Sequence, residues 1–150
     1  MAGGLFTGNY NTMKKILVGG CFDLIHFGHV EFLTNAKSYG DHLVVALESD
    51  ESVRRMKGPS RPIHTQEQRK RMLESLRFVD EVIMLEPLKS DAEYEALVTG
   101  VKPSVIAITE GDPVEEKKRR HASLVHAEVV IIPKVHTPST SQLAKLLELE

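Results

Sequence analysis

The chain has 150 residues, a length that fits one compact domain with a single core. Hydrophobic residues make up 41% of it and charged residues 27%, the balance of an ordinary globular protein rather than of a disordered or fibrous one. A formal net charge of −2 at pH 7 argues against a general nucleic-acid-binding protein, and no apolar run approaches the roughly 18 residues that cross a bilayer.

The predicted domain covers residues 13–150. Residues 1–12 scatter glycine and asparagine without periodicity, and they lack the cationic segment and apolar core of a secretory signal. We expect this segment to be a disordered extension or a leftover of cloning. It takes no part in the predicted fold.

Five short apolar segments predict buried strands. They cover residues 16–18, 43–47, 82–85, 105–108 and 129–132. Strand one stops at a pair of glycines, Gly19 and Gly20, which is typical of a tight turn.

The segments between these strands carry helix signals. Thr65 with Gln68, and Ser90 with Glu93, have the spacing of capping boxes, and Asp112 before Pro113 predicts a third capped helix start. A short helix is expected over residues 51–56, before a loop with two prolines at 57–62. Apolar residues at helical spacing predict inner faces made of Val30, Leu33, Ala36 and Tyr39, of Met72, Leu73 and Leu76, of Tyr94, Leu97 and Val98, and of Leu143, Leu146 and Leu147.

Apolar strands that alternate with helices predict parallel β-α units. The expected fold class is therefore α/β, with a Rossmann-like, doubly wound, parallel five-stranded sheet in a single domain. Ligands of such sheets bind beyond the carboxyl ends of the strands, where the strand order reverses. Residues 19–23, 109–112 and 137–141 follow strands one, four and five, and they are the candidate ligand-binding segments.

The first of these segments leads into two histidines, His26 and His29. Glycines allow backbone N–H groups to approach a phosphate closely, and the helix that follows directs its positive end toward the same place. Histidines three residues apart at a helix start can face one ligand, and Gly28 between them leaves room against the backbone. Helix capping or metal binding are the alternatives, and a pair that follows a glycine turn favours the ligand.

Residues 19–29, GGCFDLIHFGH, resemble the (T/C)FDxxHxGH signature of the cytidylyltransferase-like nucleotidyltransferases. The similarity extends over nearly the whole chain from Lys14 onward. It implies transfer of a nucleotidyl group from a nucleoside triphosphate to a phosphorylated small molecule, with release of pyrophosphate. Walker A and GxGxxG motifs are absent from the sequence.

The resemblance implies a role for each matching residue. His26, His29 and Lys57 are the predicted catalytic residues, which contact the phosphates, and Arg69 is the predicted ligand of the acceptor phosphate, a role that Lys70 or Arg71 could also fill. Lys57 could equally be a solvated surface lysine, Arg69 an ion-pair partner of Glu67 or Glu74, and Asp112 a helix cap. The predicted nucleotide-binding residues are Gly20, Cys21, Phe22, Asp23, Gly28, Asp112, Ser139, Thr140 and Ser141.

Within the family, the chain is most similar to the adenylyltransferases that act on heptose 1-phosphate. It shares their GCFD spelling and their KGxSRP loop, here residues 57–62. Residues 78–82 resemble glycerol-3-phosphate cytidylyltransferases, and archaeal FMN adenylyltransferases are similar as well. Two departures stand out: Lys134 replaces the arginine of the cytidylyltransferase RTEGIST segment, and residues 109–113 read TEGDP where the heptose enzymes have KGGDY.

The resemblance also implies ATP or CTP as a substrate, Mg²⁺ as a cofactor and a homodimer, with neither nucleic acid nor membrane as a partner. No carboxylate cluster marks a dedicated metal site. One cysteine cannot form an internal disulfide, and we expect a cytoplasmic protein. Two other classes remain open: an inactive nucleotide-binding sensor, and a redox-responsive protein that uses Cys21 near a helix N-terminus.

Overall fold

A computed structural model of the chain describes residues 13–87, 90–138 and 140–147. The strands are β1 (Lys15–Gly20), β2 (His42–Leu47), β3 (Glu81–Met84), β4 (Val105–Thr109) and β5 (Glu128–Ile132). The helices are α1 (Phe27–Lys37), α2 (Asp50–Lys57), α3 (Gln66–Glu74), α4 (Asp91–Val101), α5 (Glu115–Leu124) and α6 (Thr140–Leu146).

The sheet has the strand order β3-β2-β1-β4-β5, and every pairing in it is parallel. The chain therefore starts in the middle, adds strands on one side through β2 and β3, and returns to the other side through β4 and β5. The order reverses between β1 and β4, where Ile16 pairs with Val105. The prediction of a doubly wound parallel sheet is confirmed.

The central strands bury side chains on both faces, because successive residues of a strand point to opposite sides. Ile16 and Val18 join a cluster with Leu33 and Leu73, from α1 and α3. Leu17 joins a second cluster, with residues of α4 and α5. These two layers of helices hold the carboxyl ends of β1 and β4 at one edge of the molecule.

Helix starts follow the capping signals in two cases. Thr65 Oγ1 accepts a hydrogen bond from Gln68 N at 3.2 Å, and Glu93 Oε2 accepts one from Ser90 N at 3.2 Å. The predicted cap at Asp112 is wrong: α5 begins at Glu115, with Val114 as its N-cap. Asp112 Oδ1 instead accepts from Val114 N at 2.9 Å, which closes a turn ahead of the helix.

Some predicted inner faces are only partly buried. Tyr39 and Met72 are exposed, and in α6 the buried residue is Ala144, whereas Leu146 and Leu147 lie exposed. A seven-residue helix turns only one short stripe toward the core, and Ala144 occupies it. The predicted extension at 1–12 lies outside the described residues, among which no helix has the length and apolar character that a membrane crossing needs.

Candidate active site

A cleft of about 270 Å³ opens at the carboxyl ends of β1 and β4, where the strand order reverses. The sequence places its ligand site at this edge, and all three candidate segments contribute residues to the cleft wall, the third through Thr137. Polar and small residues that line the cleft are Gly19, Gly20, Cys21, His26, Gly28, His29, Thr109, Asp112, Lys118, Lys134 and Thr137. Phe22, Phe32 and Ile108 are among its apolar walls.

His26 and His29 form a reciprocal cap at the start of α1. Gly28 N donates to Nδ1 of His26 at 3.0 Å, and His26 N donates to Nδ1 of His29 at 3.2 Å. The rings stack with their centroids 3.8 Å apart, and both line the cleft. The capping alternative and the ligand-binding alternative are therefore compatible, because capping uses Nδ1 and leaves Nε2 of each ring free to serve a ligand.

Both imidazoles are neutral in this arrangement. Burial lowers the pKa of His26, and burial, the neighbouring ring of His26 and the charge of Lys57 lower the pKa of His29 to about 4. Since each Nδ1 accepts a hydrogen bond, the single proton of each ring sits on Nε2. The pair thus presents two fixed N–H donors, a geometry that suits the oxygens of an anionic ligand.

Glycine at two positions leaves room for ring side chains of the site, an imidazole at one and a phenyl ring at the other. A Cβ on Gly28 would lie 2.9 Å from Cε1 of His26 and 3.0 Å from Cγ2 of Thr137. A Cβ on Gly20 would lie 2.8 Å from the ring of Phe22. The small residue at 28 therefore makes room for an imidazole.

Asp23 stabilises the loop next to the site. It is buried, its Oδ2 accepts from Arg61 Nε at 2.8 Å and from Ile63 N at 2.7 Å, and its Oδ1 accepts from His64 N at 3.0 Å. Burial alone would raise its pKa, but these hydrogen bonds and the charge of Arg61 lower it overall. The prediction that Asp23 binds nucleotide stays a prediction, and in this structure its acceptor atoms hold the loop that carries residues 61–64.

The turn around Asp23 has an unusual backbone. Phe22 and Leu24, its two neighbours, have φ values of 47° and 58°. Side chains other than glycine adopt this left-handed region at a cost of roughly 1 kcal/mol or more. The three hydrogen bonds to Asp23 offset this strain and fix the turn that leads into the histidines.

Arg69 is fully buried beneath the cleft. Its guanidinium donates to the carbonyl oxygen of His64 at 3.0 Å, to that of Cys21 at 2.7 Å and to Asp50 Oδ1 at 2.8 Å. The predicted bidentate contact with an acceptor phosphate stays a prediction, and in this structure the donors join three segments of the chain. The alternative of an ion pair is correct in kind, with Asp50 as the partner instead of Glu67 or Glu74.

Lys57 ends α2 and is exposed, outside the cleft wall. Its charge nevertheless reaches the site, since it lowers the pKa of His29. The predicted contact with phosphates therefore stays a prediction. Ser139 and the side chain of Thr140 lie outside what the structure describes, and Ser141, on α6, does not line the cleft.

The far side of the cleft carries two lysines that the prediction of the site left out. Lys118 Nζ lies 2.6 Å from Asp112 Oδ2, and Lys134 follows β5 at the position where the cytidylyltransferases keep an arginine. In the sequence, Lys118 belongs to a charged helix face that is typical of solvated surface. Only the packing of α5 identifies it as a residue of the cleft wall. The predicted place of Asp112 in the site is consistent with its position in the wall.

Cys21 lines the cleft, but its environment is against a redox role. Burial raises the pKa of its thiol, and the charge of Glu48 adds to this, whereas Lys57, Arg69 and Arg61 lower it less. A thiol with a raised pKa is a poor nucleophile near neutral pH. This environment therefore disfavours the redox-responsive alternative.

The cleft offers little to a divalent cation by itself. Asp112 is the one carboxylate among the described residues that line it, and Lys118 already pairs with it. Mg²⁺ prefers several oxygen ligands and often keeps waters and substrate phosphates among them. The residues present therefore fit a cation that arrives with a polyphosphate better than a resident one.

Comparisons with known proteins show the family to which the chain belongs. Residues 17–144 match the family model described as cytidylyltransferase-like. A protein named FAD synthase from Thermococcus kodakarensis is 37% identical over 89% of this chain and 89% of its own length. A bifunctional protein HldE from Wolinella succinogenes is 39% identical over 90% of this chain, which spans only 27% of that protein. The crystal structure of a lipopolysaccharide core biosynthesis protein from Thermoplasma volcanium superimposes with a TM-score of 0.66 at 25% identity, over 82% of this chain and 97% of that one.

Proposed function

Because the chain belongs to the cytidylyltransferase-like family and is a nucleotidyltransferase, we propose that it adenylylates a sugar phosphate of the heptose 1-phosphate type. The observation that carries the proposal is the stacked pair of neutral imidazoles, with two Nε2–H donors at the carboxyl ends of β1 and β4. Such a pair is suited to the oxygens of a nucleoside triphosphate.

The reaction follows from this arrangement. An oxygen of the acceptor phosphate attacks the α-phosphorus of ATP, a new P–O bond forms, and the bond to the leaving pyrophosphate breaks with its electron pair. The acceptor oxygen is already anionic at neutral pH, so the site needs no strong general base. His26 and His29 donate to the α- and β-phosphate oxygens as charge moves onto the leaving group, and Lys118 and Lys134 offset the remaining negative charge.

Magnesium belongs to the proposal as a companion of the triphosphate. When bound it would neutralise phosphate charge, and Asp112 is the cleft residue whose oxygen could reach it. We also propose a homodimer in the cytoplasm. Gel filtration with light scattering tests the oligomeric state.

FMN is the second candidate acceptor, which would make the product FAD. The relative named FAD synthase favours it, since its similarity spans 89% of both chains. The loop at residues 57–62 and the HldE similarity favour the sugar phosphate. Glycerol 3-phosphate with CTP is a weaker third choice, because Lys134 stands where those enzymes keep an arginine.

A pyrophosphate-release assay separates these acceptors. Purified protein is given ATP or CTP with Mg²⁺ and one acceptor at a time: heptose 1-phosphate, FMN or glycerol 3-phosphate. We expect release with ATP and heptose 1-phosphate. Pyrophosphate release with FMN alone would indicate FAD synthesis instead. ATP binding without pyrophosphate release from any pair of nucleotide and acceptor would favour an inactive nucleotide sensor.

Substitution of the histidines tests the proposed chemistry. His26→Ala and His29→Ala should each lower turnover by roughly tenfold or more, since each removes a donor that stabilises developing charge. His42→Ala is the matched control, because His42 starts β2 at the opposite end of the sheet and pairs with Glu81. Turnover that is unchanged in both cleft variants would refute the assignment.

A further inference from the structure

Glu48 is a charged residue next to the cleft that the proposed chemistry leaves unused. It follows β2 directly, and its N–H donates to the carbonyl oxygen of Gly20 at 3.0 Å. Its carboxylate acts electrostatically on Cys21, which lines the cleft. It therefore lies at the same carboxyl edge of the sheet as the histidines, on the β2 side of β1.

The carboxylate of Glu48 is incompletely satisfied. Oε1 accepts a hydrogen bond from the hydroxyl of Tyr94 at 3.2 Å, whereas Oε2 is buried and has no hydrogen-bond partner. A buried acceptor without a partner destabilises the folded protein, and more so when it is charged. Proteins accept such costs mainly at functional sites.

Charged groups on three helices lie near the carboxylate of Glu48. Burial raises the pKa of its carboxyl, and the Tyr94 hydroxyl and nearby cations only partly offset this. These cations are Arg55 on α2, Arg69 on α3 and Lys118 on α5. Lys118 also lines the cleft, so one residue connects the surroundings of Glu48 with the proposed phosphate site.

From these contacts we propose that Glu48 lies in the acceptor-binding end of the site, where its carboxylate turns toward the cleft and accepts a hydrogen bond from a hydroxyl group of a phosphorylated sugar or polyol. The inference rests on the proposed function and adds to it the part of the acceptor that is recognised, one of its hydroxyl groups. Tyr94 acts as a positioning residue that holds the other carboxylate oxygen. An anionic carboxylate at this end also disfavours acceptors with a second negative charge there.

Glu48→Gln tests the proposal, with Glu51→Gln as the matched control on the exposed face of α2. Steady-state kinetics use ATP with heptose 1-phosphate, FMN and glycerol 3-phosphate. For the acceptor that the wild type uses, Glu48→Gln should raise KM about tenfold, since a hydrogen bond to a charged group is replaced by a neutral one. The Kd for ATP, measured by calorimetry without acceptor, should stay within about twofold, as expected for a residue that contacts only the acceptor.

A second measurement separates recognition from a structural role. Because the folded protein holds Glu48 with a raised pKa, the neutral glutamine should leave the Tm at pH 7.5 unchanged or higher. A lower Tm with an unchanged acceptor KM would show a purely structural residue and overturn the proposal. Equal acceptor KM values in Glu48→Gln and Glu51→Gln would overturn it as well.

The failure of this inference can be told from failure of the proposed function. If pyrophosphate release is insensitive to Glu48→Gln, only the proposed role of Glu48 is refuted. ATP binding without release from any of the three hydroxyl-bearing acceptors overturns the acceptor class. Absence of ATP binding overturns the nucleotide site on which both depend.

Discussion

The protonation of His29 makes the stability of the protein depend on pH in a way that one substitution isolates. Burial, the ring of His26 and the charge of Lys57 lower the pKa of His29 to about 4, against 6.5 for the ordinary side chain. In the unfolded chain the ring binds a proton below pH 6.5, and folding must release it. The contribution to stability is therefore fully present above pH 6.5 and is lost as the pH falls toward 4.

The expected size of the effect follows from these two pKa values. Linkage gives a loss of about 2 kcal/mol in the free energy of unfolding between pH 7.5 and pH 5. His29→Asn keeps a side-chain oxygen that can accept from His26 N but removes the titrating ring. The variant should therefore lose about 2 kcal/mol less than the wild type over this interval.

Urea unfolding followed by circular dichroism at pH 7.5, 6.5, 5.5 and 5.0, at constant ionic strength, measures this difference. The contribution of His26 occurs in both proteins and largely cancels in the comparison. His42→Asn, at the far end of the sheet, shows whether loss of any histidine has the same effect. Parallel pH profiles for His29→Asn and the wild type would refute the neutral, Nδ1-accepting imidazole and with it the two Nε2–H donors.

The other substitutions test the scaffold of the site. Asp23→Ala should lower the free energy of unfolding by about 3–5 kcal/mol, because it removes the carboxylate that pairs with the buried guanidinium of Arg61, and a loss below about 1 kcal/mol in urea would contradict the assigned contacts. Gly28→Ala should raise the Kd for ATP by about tenfold, since its Cβ would displace the ring of His26, and calorimetry that shows unaltered binding would exclude this packing. Arg69→Lys should lower the Tm and raise the KM of both substrates, because a lysine cannot make the three contacts of the guanidinium. A higher acceptor KM with an unchanged Tm would instead favour Arg69 as a phosphate ligand.

The strands and the place of the site could be predicted because their signals are local. The apolar run at 43–47 reads as a strand wherever it occurs, and alternation with helices makes the sheet parallel. A parallel sheet has its ligand edge at the carboxyl ends of the strands, so Gly20 at the end of β1 and Thr109 at the end of β4 are brought together by topology alone. Detailed packing adds little to that argument.

The roles of Asp23 and Arg69 could not be predicted in this way. Asp23 binds residues about 40 positions later in the chain, and Arg69 binds a carbonyl oxygen 48 positions earlier. Charge and position in a motif do not distinguish a side chain that contacts substrate from one that holds the loop beneath it. That distinction depends on burial and on where free donors remain, and both are properties of the folded chain. Lys118 shows the converse, since an apparently solvated lysine lies in the cleft wall because of how α5 packs.

The histidines and the lysines contribute differently to the binding of a triphosphate. Imidazole rings with centroids 3.8 Å apart cannot both carry a charge cheaply, because two unit charges at about 4 Å repel by roughly 4 kcal/mol at an effective dielectric constant of 20. Charging both rings would therefore be costly, and each ring would also have to give up the hydrogen bond that its Nδ1 accepts. Lys118 and Lys134 are better placed to supply charge, since both line the cleft. The imidazoles then contribute direction: two N–H donors fixed in place before the substrate arrives, which need no reorganisation when charge moves onto the leaving group.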